Sequence, residues 1–129
     1  IANKLDMYEF LELRESMNLD NIQTRHLAGI ATNMTASSID FANSGEEYLR
    51  MAVMELRKTR YIFLTERFDQ ALEILKKDGI IRKISYERRN VSVLDRSKIS
   101  LSENLVQRIK EVNKFDFMLY EEAKTLSKN

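Results

Sequence analysis

This chain of 129 residues contains no proline and only three glycines. These two residue types interrupt helices and strands most strongly, so few positions force the backbone to break. Ends of regular structure must be set by capping side chains, charge and polarity instead, and no Pro- or Gly-rich linker or repeat divides the chain. The length suits one modest hydrophobic core and not two. Residues 1–129 therefore read as one folding unit.

Apolar spacing supplies the elements. Leu5, Tyr8 and Leu11, with Met7, Phe10 and Leu13, recur at helical intervals, and Asp6 followed by Glu9 has the form of a capping box. This predicts a helix from Leu5 to about Met17. A second helix is expected from about Asn21 to Ala28, stopping near Gly29, after which 31–43 is small, polar and aperiodic and reads as a long loop. From Glu46 to Lys58, Leu49, Ala52, Val53 and Leu56 share one face, with Ser44 or Gly45 as the cap. Tyr61, Ile62, Phe63 and Leu64 then form an apolar run too short for a helix, which reads as a strand buried on both faces, and Ile80 to Ile84 reads as a second strand. Between them Phe68, Ala71, Leu72 and Leu75 give a helix ending at Lys76, Lys77 and Gly79. Ser102 caps a further helix carrying Leu105, Ile109 and Val112, and Asn113 caps a last one with Phe117, Leu119 or Tyr120, Ala123 and Leu126 on its core face. Helix, strand, helix in that order is an α/β signature, so the expected class is α/β, predominantly helical.

Composition excludes several functions. The 21 basic and 20 acidic side chains leave a formal charge of +1, which gives no argument for nucleic acid or an anionic membrane. The absence of cysteine removes disulfides, thiolate metal sites and a cysteine nucleophile, and favours a reducing compartment. No apolar run reaches the roughly 20 residues of a membrane-spanning helix, and the opening residues IANKLDMYEF are not a signal peptide. Because the chain opens on Ile1, it is expected to be a piece of a longer protein.

Local chemistry is sparse. Residues 82–98 hold Arg82, Lys83, Arg88, Arg89, Arg96 and Lys98 against Glu87 and Asp95, an excess of four positive charges. Guanidinium forks match phosphate and sulfate oxygens, so Arg88 and Arg89 beside Asn90 and Ser92 form a candidate anion-binding loop, although basic loops are usually only solvated. His26, the one histidine, lies beside Gln23 and Arg25; an imidazole can act as a base on a sugar hydroxyl, but spacing identifies no carboxylate to orient it. Glu66 and Asp69 lie three apart where an acid/base or metal pair is conceivable, yet acidic residues in a first helical turn are better explained by the macrodipole. No metal site is expected. Phe63, Phe68, Phe115, Phe117 and Tyr120 read as core rather than as a stacking surface for single-stranded nucleic acid. Two sequons, at Asn33 and Asn90, are taken as unmodified in a chain that lacks the disulfides of lumenal enzymes.

One resemblance covers nearly the whole chain. Residues Ile62 to Asp69 (IFLTERFD), followed by Ala71 to Leu75, resemble the strand-to-helix passage of PAPS-dependent sulfotransferases of the carbohydrate-modifying type. In the same order, Asn21 to Gly29 (NIQTRHLAG) resembles the family's acceptor-side segment, Tyr86 to Ser92 its basic loop, and Asn113 to Asp116 with Leu119 and Tyr120 its closing helix. The resemblance implies a P-loop-like parallel sheet flanked by helices, and sulfuryl transfer from the donor PAPS to a hydroxyl, commonly of a carbohydrate. It implies that Arg88, Arg89, Asn90 and Ser92 close over the donor, and that Gln23, Arg25 and His26 face the acceptor. The family's phosphate-cradling loop and its Arg-Asp-Pro segment have no counterpart here, and the catalytic base falls in that same region, so no catalytic residue is identified. The expected identity is the C-terminal part of a sulfotransferase, with no metal, in a bacterial-type cytoplasm or, with an upstream anchor, the Golgi lumen. The alternative is a small helical module that binds another protein through its amphipathic helices.

Overall fold

The computed structural model describes residues 6–87 and 100–127. Six α-helices account for most of them: α1 (Met7–Ser16), α2 (Ile22–Thr32), α3 (Phe41–Lys58), α4 (Phe68–Lys77), α5 (Glu103–Val112) and α6 (Lys114–Leu126), with single 3-10 turns at Ala36–Ser38 and Thr65–Arg67. Two compact units result, Ile1–Ile62 with Ser102–Asn129, and Phe63–Leu101.

The larger unit is built on α2, α3 and α6. Thr24, Arg25, Ala28 and Gly29 form the buried stripe of α2, and α3 meets it with Gly45, Leu49 and Ala52. Ala28, Ile39, Leu49, Ala52 and Leu119 make the core, walled by Phe41, Tyr48, Met51 and Phe115. Each fully buried leucine in such a core contributes on the order of 1.5–3 kcal/mol. A smaller cluster of Leu11, Leu105 and Val112, backed by Ile109, joins α1 to α5, and Arg108 adds an ion pair to Glu15 at 2.5 Å.

Two glycines here serve close approach rather than chain reversal. A Cβ on Gly29 would stand 2.7 Å from the Met34 carbonyl oxygen, and one on Gly45 would stand 2.4 Å from the Phe115 ring. Helix α2 accordingly runs past Gly29 to Thr32 and ends on Asn33 in the left-handed region. Helix α3 starts five residues ahead of the expected Glu46, with the Asp40 carboxylate accepting from the Ala42 N–H at 3.0 Å, and it kinks at Ser44. With so few glycines, the left-handed turns fall to Asn18, Asn21 and Asn33, the non-glycine residue type that tolerates them best. The Asp6–Glu9 capping box, with bonds of 2.8 and 3.1 Å, and the Ser102 cap on Leu105 N–H at 3.2 Å form as the sequence predicts.

The smaller unit holds α4, which ends at Gly79 with φ +73 as expected. Of its described apolar residues only Leu64 and Ala71 are buried.

The α/β expectation, and with it the P-loop-like parallel sheet, is overturned: among the described residues every regular element is helical and no strand occurs. Residues 61–64 are apolar as a strand would be and Leu64 has extended backbone angles, but a strand exists only through ladder hydrogen bonds to a neighbouring strand. Residues 80–84 likewise carry no regular structure, and Ile80 and Ile81 donate their N–H groups back to the Leu75 carbonyl at the end of α4. Apolar character specified burial without specifying a ladder, and Phe63, read as buried on a two-sided strand, is 38% exposed.

Candidate functional site

The most constrained part of the molecule is where the N-termini of α2 and α6 meet. A helix start leaves backbone N–H groups without partners, and here each helix supplies the other's cap. Asn21 precedes α2 with φ 46. Its Oδ1 accepts from the N–H groups of Phe115 at 2.8 Å and Asp116 at 3.2 Å in the first turn of α6. Its Nδ2 donates to the Val112 carbonyl and to Asp20 Oδ2, both at 3.0 Å. In return the Asp116 carboxylate accepts from Thr24 N–H at 2.8 Å, Thr24 Oγ1 at 2.7 Å and Gln23 N–H at 3.2 Å in the first turn of α2. Asn113, predicted to cap α6, instead donates to the Ile109 carbonyl at 3.0 Å and accepts from Asn21 N–H at 3.4 Å.

Arg25 extends this network inward. Only 2% exposed, it donates from Nε to the Asp20 carbonyl and from a terminal nitrogen to Asp20 Oδ1, each at 2.7 Å, and from the other to the Ile39 carbonyl. Its guanidinium also stacks 4.5 Å from the centre of the Phe41 ring. A buried cation is tolerated only when its donors are paired in this way, and among the described residues no buried side-chain polar atom lacks a partner.

Two cavities flank the junction. One of about 310 Å³ is edged by Glu15, Asp20, Asp40 and Glu111, with Arg25 in its wall. Asp40 is held below the usual aspartate range chiefly by its hydrogen bond from Asn43, with the Ala42 and Asn43 N–H groups and the Arg25 charge adding to it against a desolvation cost. The other, about 290 Å³, is lined by Gln23, Asn113, Asp116, Phe117 and Tyr120. In the smaller unit a third cavity of about 430 Å³ lies among Thr65, Glu66, Phe68, Asp69, Tyr86 and Glu87. Asp69 sits in the first turn of α4, as its capping explanation requires, and accepts from the Tyr86 hydroxyl.

Of the residues expected to face an acceptor, Gln23 and His26 are exposed one turn apart on α2, whereas Arg25 points inward and is fully engaged. Arg88, Arg89, Asn90 and Ser92 lie outside the described residues. Sequence reasoning did not connect Asp116, Asn113, Phe117 and Tyr120 with Gln23; 90 or more residues separate them, and Phe117 and Tyr120 were read as core although they are 45% and 39% exposed. No sequence signal marked them, because a carboxylate in a first helical turn, as Asp116 is, is ordinarily explained by the macrodipole. Among the described residues no group of three or more His, Asp or Glu is placed to hold a metal ion, and no helix is long and apolar enough to cross a membrane. Comparison with family models, curated proteins and solved structures finds no match to this chain.

Proposed function

We propose that this chain is the helical, acceptor-side part of a PAPS-dependent sulfotransferase that modifies a hydroxyl of a carbohydrate or similar acceptor, with the main donor-gripping loop supplied from outside residues 1–129. The observation that supports the reading is the junction itself. The segments 21–29 and 113–116, two of the four that resemble parts of that family, meet through Asn21, Thr24 and Asp116, so these two lengths of chain build one place. Sulfuryl transfer needs an in-line approach of the hydroxyl and fixed donors for charge developing on the transferred and leaving oxygens. On this reading Gln23 and His26 serve the acceptor side, Arg88, Arg89, Asn90 and Ser92 the donor side, and the mutual capping holds the acceptor elements rigid.

The test is PAP release when PAPS and uronic-acid-containing or neutral oligosaccharides are mixed with the protein extended upstream in its reading frame. Turnover is expected, with Arg88→Ala and Arg89→Ala each weakening donor binding. Absence of PAP release with every acceptor would remove the reading. A helical interaction module is the second reading, favoured by the exposed Phe68, Ile74, Ile80 and Leu101. Its signature is a monodisperse, cooperatively unfolding chain 1–129 that binds no PAP in extended form.

A further inference from the structure

The C-terminal end of α4 gathers exposed isoleucines and cations in one short stretch of the smaller unit. The backbone fixes their placement. Gly79, at φ +73, donates its N–H to the Lys76 carbonyl at 3.0 Å, and Ile80 donates to the Leu75 carbonyl at 2.9 Å, the paired bonds of a Schellman motif. Such a motif turns the residue after the glycine back toward the last turn of its helix, which brings Ile80 to the level of Ile74 and Leu75. The apolar contact that commonly accompanies it leaves much uncovered here, since Ile74 is 42% and Ile80 55% exposed.

Charge singles out the same stretch. Lys76, Lys77, Arg82 and Lys83 are all exposed, and with Asp78 as the one acid in 74–83 the four cations leave a local charge of +3. Among the described residues none of these four enters an ion pair, whereas Arg25, Arg57, Lys58, Arg108 and Lys124 all do. The negative end of the α4 dipole accounts for Lys76 and Lys77 in the last turn. It does not account for Arg82 and Lys83, which lie beyond the helix.

We propose that this end of α4 binds the surface of an anionic lipid bilayer, with Ile74 and Ile80 entering the interface and Lys76, Lys77, Arg82 and Lys83 meeting the headgroups. The proposal rests on neither functional reading given above. A bilayer uses both features, because its interface takes up apolar side chains without a matched surface and its anionic headgroups attract each nearby Lys or Arg by about fivefold in affinity. Other occupants use one feature and waste the other. A second copy would set +3 against +3. Nucleic acid would pair with the cations but leave the isoleucines, which have no stacking face, in water. A small ligand has no enclosure here, as none of the three cavities described above takes in any of these residues. The formal charge of +1 for the whole chain does not oppose binding, because screening confines the attraction to charges within about 8–10 Å of the surface.

Cosedimentation of the full chain with vesicles tests this, using phosphatidylcholine alone and phosphatidylcholine mixed with phosphatidylserine, with glycerophosphoserine as the free-headgroup control. Binding to the mixed vesicles only is expected, lost at about 1 M salt and not displaced by glycerophosphoserine. Lys76→Gln with Lys77→Gln should weaken it about thirtyfold, and Ile80→Ser about tenfold, with the helical circular dichroism retained. Ile30→Ser, which removes a 66% exposed isoleucine of the larger unit, should leave it unchanged. No binding to the mixed vesicles, or equal binding to phosphatidylcholine alone, overturns the proposal. So does binding that the paired lysine variant or Ile80→Ser leaves at the wild-type level. No PAPS enters the assay, so its failure leaves the sulfotransferase reading to the PAP-release test.

Discussion

The two compact units contain similar side chains and use them differently. In residues 6–62 and 102–127 the apolar positions of α2, α3 and α6 close on one another, and small residues at 28, 29, 45 and 52 let the backbones approach. In residues 63–87 Phe63, Phe68, Ile74, Ile80 and Tyr86 all stay exposed, and only Leu64 and Ala71 are buried. An amphipathic helix becomes a stable element only when its apolar face meets another. The larger unit has such partners and a polar lock to hold them in register. Among the described residues of 63–101, α4 has a single 3-10 turn as its neighbouring element of regular structure.

Arg25 is the residue whose loss should weaken the larger unit most. Removing it leaves Asp20, itself 13% exposed, without a counter-charge and with only the Asn21 amide on its carboxylate, and opens a void under Phe41. Arg25→Ala should cost about 3–5 kcal/mol in urea unfolding; a loss below 1 kcal/mol would mean that the buried cation is not part of what holds the larger unit. Next comes the mutual cap. Asn21→Ala leaves buried groups unpaired at about 1–3 kcal/mol each, and Asp116→Ala removes a cap worth roughly 0.5–2 kcal/mol. A double-mutant cycle between them should show coupling of about 0.5–3 kcal/mol, and strict additivity would separate the two caps.

Glycine substitutions sharpen the contrast. Gly45→Ala forces a methyl into the Phe115 ring and should cost about 1–3 kcal/mol by overpacking. Gly79→Ala meets no atom within 4 Å, and its cost, about 1–2 kcal/mol, comes from the left-handed backbone alone. A Gly79→Asn control should recover most of the loss at 79, whereas an asparagine at 45 should be worse than alanine.

The smallest effect is one of pH. The folded state holds Asp40 below its ordinary value of 3.8, so its contribution is present above that value and is lost as pH falls through the lower folded one. Thermal scans should therefore show a slightly lower Tm below about pH 4 than at pH 6, with Asp40→Asn, which keeps a good cap, removing that part of the slope. An identical pH dependence in the variant would exclude Asp40 as its source.

Much of the helical layout was legible in the sequence. Asp6 with Glu9, Ser102, and Lys76, Lys77 and Gly79 mark helix ends by mechanisms local to a few residues. What failed depends on distant neighbours. Gly29 and Gly45 look like breakers until Met34 and Phe115 are seen against them. Residues 61–64 look like a strand because apolar runs do not reveal whether a ladder partner exists. The site was half visible: Gln23 stood in a singled-out segment, but its companions on α6 read as a capped helix with an aromatic core face. That two such segments meet through Asn21 and Asp116 is a property of folding, not of either segment.

The mutual capping of α2 and α6 should hold the larger unit together whether or not residues 63–87 are folded. Native-state hydrogen exchange of the whole chain tests it most directly. Amides of α2, α3 and α6 should share one high opening free energy that falls together in Asn21→Ala, while amides of 68–77 exchange faster and are unaffected. Equal protection across both units, or an Asn21→Ala loss that spreads to α4, would contradict it.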